Sequence, residues 1–151
     1  MMIRSSIVSW VLYVSRILLI ILFTYAAVSK LVDFQQFGVQ LGQSPLLTAF
    51  ADYLVLAVPL SEIAIVVLLL IKPWRLFGYY ASFSILLMFT TYIVLTLNFS
   101  DYVPCSCGGV LEDLGWSEHI IFNLAFVLLA TFGVLYLEKS FGNLKKLKDG
   151  V

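Results

Sequence analysis

The sequence predicts an all-α fold: a polytopic membrane protein built as a four-helix transmembrane bundle, with a short interfacial helix between spans 1 and 2. Three observations predict it. The chain of 151 residues is 62% hydrophobic and 12% charged with a mean hydropathy of +1.02, whereas soluble domains carry about 25% charged residues. Apolar runs of the roughly 20 residues needed to cross a hydrocarbon core about 30 Å thick recur along it. The connections between them are short, so residues 1–151 are expected to form a single membrane domain. A net charge of zero gives no reason to expect a nucleic-acid partner.

The first span is expected over residues 7–30. Arg4 followed by an apolar run ending in small residues has the look of a signal peptide, but Ile7 to Val28 is longer than the usual 7–15-residue apolar region of such peptides. An uncleaved span is therefore expected. Asp33 to Leu47 connects it to the next, with Phe34, Phe37 and Leu41 spaced by three and four, as in a short amphipathic helix lying at the interface. Gly42 and the Ser44-Pro45 step should end that helix, because proline disfavours helix in the residue before it.

The second span is expected over residues 49–71, with Pro59 and Glu62 inside it. A tight basic turn, Lys72-Pro73-Trp74-Arg75, leads into a third span over residues 74–97. Its Ser and Thr side chains can bond locally or between helices. Residues 98–116 form a polar loop, a fourth span covers 117–137, and a lysine-rich tail follows from Glu138.

Lysine and arginine set the orientation. With both termini cytoplasmic, that side carries Arg4, Lys72, Arg75, Lys139, Lys145, Lys146 and Lys148, against Lys30 alone on the other. The 98–116 loop, which bears Asp101, Glu112 and Asp113 and no basic residue, then faces the outer compartment, where disulfides persist.

That loop holds both cysteines, Cys105 and Cys107, beside Gly108 and Gly109. Two cysteines one residue apart bridge only across a tight backbone, and departure from preferred geometry makes a disulfide easier to reduce. A redox pair is the leading reading. A static bridge and a metal site stand beside it, the latter weakened because Cys105, Cys107 and His119 give three candidate ligands where structural zinc sites use four. Ser117 is a suitable N-cap for the fourth span. His119 and Asn123, four apart, share one helix face, from which they can hydrogen-bond a thiolate, a water or a quinone oxygen. An interfacial histidine bonded to water or Glu118, and an asparagine bonded between helices, are the plain alternatives.

Ionisable residues inside the membrane need a partner or a function. Counting ~1.5 Å per residue, Arg16 and Glu62 both fall about 13 Å from the cytoplasmic side, which predicts an ion pair. That pair is either structural or a route for protons and a contact for a quinone head group. Lys30 and Asp33, one turn apart, are close enough to pair with each other at the interface.

Several stretches together carry a family likeness. They are Tyr25 to Phe34 (Tyr-Ala-Ala-Val-Ser-Lys-Leu-Val-Asp-Phe), Ser44-Pro45-Leu46-Leu47, Pro59 to Glu62, and Cys105 to Gly109 ahead of Trp116 and Asn123. They resemble the bacterial DoxX-like membrane proteins, in particular the MauE branch of methylamine utilisation. The resemblance covers nearly the whole chain. It implies a four-helix bundle in the bacterial inner membrane and, for the MauE branch, disulfide handling beside a periplasmic thioredoxin-like partner. The architecture is also similar to that of disulfide-generating membrane oxidoreductases, which pass electrons from a thiol pair to a quinone. Those carry two cysteine pairs, whereas this chain has Cys105 and Cys107 alone, so a partner would supply the second.

The expectation is a thiol-disulfide redox protein, with Cys105, Cys107 and His119 as the reacting group and Glu62, Arg16 and Asn123 around a candidate quinone. The alternative is a non-catalytic membrane anchor or assembly subunit of a larger complex.

Overall fold

The computed structural model describes residues 2–44, 46–99 and 115–148. Cys105 and Cys107 therefore lie outside the described residues. Among the described residues, five α-helices run in order: α1 (Met2–Val32), α2 (Phe34–Gln43), α3 (Ala51–Leu70), α4 (Arg75–Phe99) and α5 (Trp116–Lys148). Single 3-10 turns at Thr48–Phe50 and Lys72–Trp74 lead into α3 and α4. No strand occurs among the described residues.

Four of the helices, α1, α3, α4 and α5, contain stretches long and apolar enough to cross a membrane, and the chain is a membrane protein. In a bilayer all backbone hydrogen bonds must be met within the segment, which a helix does. The outward side chains, among them Ile21, Leu56, Leu60, Leu87, Ile121 and Leu128, are large, apolar and exposed, so lipid covers them. The helices form a ring in which α1 packs on α3 and α5, and α4 packs on α3 and α5. One end, called here the loop end, gathers the C-termini of α1 and α4 and the N-termini of α3 and α5.

The core of the other half is Leu19, Phe23, Ile65, Leu69, Tyr79, Leu86, Val127, Ala130 and Val134. Lipid is as apolar as these side chains, so close packing and interhelical hydrogen bonds, rather than escape from water, hold such an interior together. Tyr79 bonds across the ring to α1: its hydroxyl lies 2.9 Å from Ser15 Oγ and donates to the Leu12 carbonyl at 3.1 Å. Its ring lies against Gly133 of α5, where a Cβ would come within 2.7 Å of Tyr79 Cζ. Glycine there is what lets α5 approach.

Three expectations change. α1 begins at Met2 and α5 continues to Lys148, so the lysine-rich tail is helical. α5 starts at Trp116, with Gly115 O accepting the His119 N–H at 3.0 Å; Ser117 is inside the helix rather than its cap. α2 ends at Gln43, before the Ser44-Pro45 step as expected, but it is more than an interfacial strip. Its Phe37 and Leu41 pack with Val58, Leu54 and Phe89 into a second core cluster at the loop end.

Candidate functional site

Between these two clusters lies a cavity of about 190 Å³. Its walls are mostly apolar: Phe23, Phe37, Leu41, Leu54, Val58, Leu86, Phe89, Ile93 and Phe122 contribute from all five helices. The polar groups reaching it are few. They are Lys30 of α1, Glu62 of α3, Tyr92 and Thr96 of α4, and His119 and Asn123 of α5.

Lys30 and Glu62 form a buried ion pair. Lys30 Nζ donates to Glu62 Oε1 at 2.8 Å and to the Ala26 carbonyl, one turn back, at 3.2 Å. Glu62 is fully buried and Lys30 is 7% exposed. The rings of Phe37 and Phe89 each have their centroid 5.9 Å from the ammonium, within the distance at which an aromatic face attracts a cation. The other carboxylate oxygen, Glu62 Oε2, is buried with no hydrogen-bond partner.

Glu62 therefore pairs with Lys30, not with Arg16, and Lys30 does not pair with Asp33, which is exposed. The physical reason is side-chain direction. Cα–Cβ bonds lean toward the helix N-terminus, so on antiparallel helices Lys30 leans into the bundle and Glu62 leans toward the loop end. Depth counted between backbone positions misses this approach. Arg16 lies about 21 Å along α1 from Lys30, at ~1.5 Å per residue. It is not part of the cavity wall, and its guanidinium stands 5.3 Å from the centroid of the Tyr13 ring.

His119 and Asn123 do share one face of α5 and are 5% and 6% exposed. Lys30 is within electrostatic range of His119, and both line the cavity. Tyr92 is held by Ser44, the C-cap of α2, through hydroxyls 2.8 Å apart. This bond ties α2 over the cavity and fixes one of its walls.

The cavity lies where the cysteine loop joins the bundle. Thr96, near the end of α4, and Trp116, at the start of α5, both line it. Cys105 and Cys107 are carried by the chain between those two ends, and at ~3.4 Å per residue Cys105 is tethered within roughly 20 Å of Phe99.

The cavity can hold a flat ring. A cavity of about 150 Å³ lined by Leu, Ile and Phe takes up benzene, so this volume admits a single substituted ring. Donors from Lys30 and Asn123, and the buried, unpartnered Glu62 Oε2, are the groups that could meet its polar substituents. Sequence reasoning missed Lys30 as a cavity residue. No depth count pointed to it, because Lys30 closes its apolar run while Glu62 lies well inside α3.

The profile of the family described as methylamine utilisation protein MauE matches residues 8–136. No curated protein and no solved structure matches the chain.

Proposed function

Starting from a chain that belongs to the MauE family, a membrane protein family linked to methylamine utilisation, we propose that this protein is a thiol-disulfide redox protein of the bacterial inner membrane. We read it as a single membrane domain with both termini cytoplasmic and the cysteine loop periplasmic. The likeness to DoxX-like proteins belongs to the same reading. The observation that carries it is the apolar, ring-sized cavity with buried His119, Asn123, Lys30 and Glu62, bordered by the two helix ends from which the cysteine loop springs.

A thiolate of a periplasmic thioredoxin-like partner attacks the Cys105–Cys107 disulfide, forming a mixed disulfide and freeing one cysteine of the pair. The partner's second thiolate resolves it. The partner leaves oxidised, and the Cys105–Cys107 pair keeps two electrons and two protons as a dithiol. A quinone held in the cavity would supply the two-electron, two-proton sink that returns a dithiol to a disulfide. We assign thiolate formation to His119, as the base that takes the thiol proton, and to the N-terminus of α5, since a helix N-terminus favours that form. Lys30 and Asn123 would hold the quinone through its oxygens.

The test is to trap the intermediate. With Cys107→Ser and, separately, Cys105→Ser, one variant should accumulate a mixed disulfide with an extracytoplasmic protein, visible on a non-reducing gel and lost on reduction. Full function of the double Cys105→Ser, Cys107→Ser variant would overturn the redox reading in favour of a membrane anchor.

A further inference from the structure

At the end of the bundle opposite the cavity, two arginines share one corner. Arg16 of α1 is near enough for its charge to bear on Arg75 at the start of α4, and both bear on the Tyr79 hydroxyl, which itself bonds Ser15, the residue before Arg16. Both are half-buried, and each has its Nε atom shut away from solvent with no hydrogen-bond partner. No carboxylate among the described residues pairs with either. The nearby Ser15 and Tyr79 hydroxyls bond to each other and to the Leu12 carbonyl, and neither accepts from an arginine Nε.

Two like charges held together with donors unmet are costly unless an anion joins them. A guanidinium presents its N–H groups in a planar fork that matches the oxygens of a carboxylate or phosphate. The depth of the corner says where that anion comes from. Arg75 directly follows the Lys72–Trp74 turn joining α3 to α4, the level at which membrane-spanning helices emerge among lipid headgroups. Trp10 and Tyr13 are exposed on the adjoining turns of α1, and such residues gather at the membrane interface. Lys72, exposed in the turn itself, adds a third positive charge.

We propose that Arg16 and Arg75 form a binding site for a phosphate oxyanion, supplied by the headgroup of an anionic phospholipid. Basic pockets between transmembrane helices recognise headgroups in this way. The site is separate from the cavity and independent of the redox reading.

The experiment uses the full chain, purified in detergent and stripped of lipid, with native mass spectrometry to count retained lipids. Phosphatidylglycerol is titrated against phosphatidylcholine, and inorganic phosphate is added in a second arm. The wild type should hold one phosphatidylglycerol at least tenfold more tightly than phosphatidylcholine. Arg16→Gln with Arg75→Gln should erase that preference, while Lys139→Gln, which removes a charge from an exposed residue, should leave it intact. Should the double Gln variant fail to fold, Arg16→Lys with Arg75→Lys keeps the charge, loses the fork and should show a reduced preference. Unchanged phosphatidylglycerol binding in a folded variant of either kind overturns the site. Displacement of the lipid by millimolar inorganic phosphate overturns the lipid as source.

Discussion

The Lys30 ammonium and the Glu62 carboxylate meet at 2.8 Å across 32 positions of sequence, and no water-exposed surface shares in the contact. Removing one partner from a buried pair leaves the other charge uncompensated, at a cost of about 3–5 kcal/mol, whereas replacing both by well-packed apolar groups is often neutral. Lys30→Met is therefore expected to lower the thermal midpoint in detergent sharply, and Lys30→Met combined with Glu62→Met to recover most of the loss. Equal losses in the single and double variants would show that the pair does not act as a unit.

At the other end the contact that decides packing is Tyr79 against Gly133. Gly133→Ala sets a methyl against the edge of the Tyr79 ring, well inside van der Waals contact, and should destabilise by about 1–3 kcal/mol, the usual range for overpacking. Adding Tyr79→Leu should relieve part of this strain, although it also removes the hydroxyl bonds to α1. A double-mutant cycle on thermal midpoints reads the coupling, and simple additivity would disprove a direct clash.

The Ser44–Tyr92 bond predicts a local effect rather than a global one. Ser44→Ala or Tyr92→Phe forfeits about 1 kcal/mol, typical of a neutral hydrogen bond. The loss should fall on α2, which packs chiefly on α3. Hydrogen exchange of the α2 amides should quicken severalfold in either variant, with the α4 amides near Leu86 unchanged. A uniform change across all helices would argue against α2 being tied down by this bond.

How much of this was legible in the sequence depends on which residues one asks about. Hydropathy alone located the four spans, because a bilayer demands long apolar helices and little else competes with that requirement. The i, i+4 spacing put His119 and Asn123 on one face, and both are buried in the cavity wall. The Lys30–Glu62 pair was not legible from depths counted inward from the ends of apolar runs. Arg16 looked central because the run begins at Ile7, yet Ser15 bonds Tyr79, one turn into α4, so Arg16 stands near the α3–α4 turn. Lys30 looked interfacial because it closes the run, yet its long side chain folds back one turn to the level of Ala26. Long flexible side chains break the link between sequence depth and charge depth.

Trp116 offers a direct reading of the cavity. Of the three tryptophans, it alone lines the cavity, while Trp10 and Trp74 are exposed on other parts of the chain. A ring bound beside it should quench its fluorescence saturably. Titrating the purified full chain with a water-soluble naphthoquinone is therefore expected to give a hyperbolic signal that disappears in Trp116→Phe. Asn123→Leu removes a polar group from the wall and should raise Kd about tenfold, equivalent to about 1.4 kcal/mol. Lys139→Gln, on an exposed position, should leave Kd unchanged. Quenching that rises linearly with quinone and persists in Trp116→Phe would mean collision from the detergent phase, and the cavity would then have no claim to the ring.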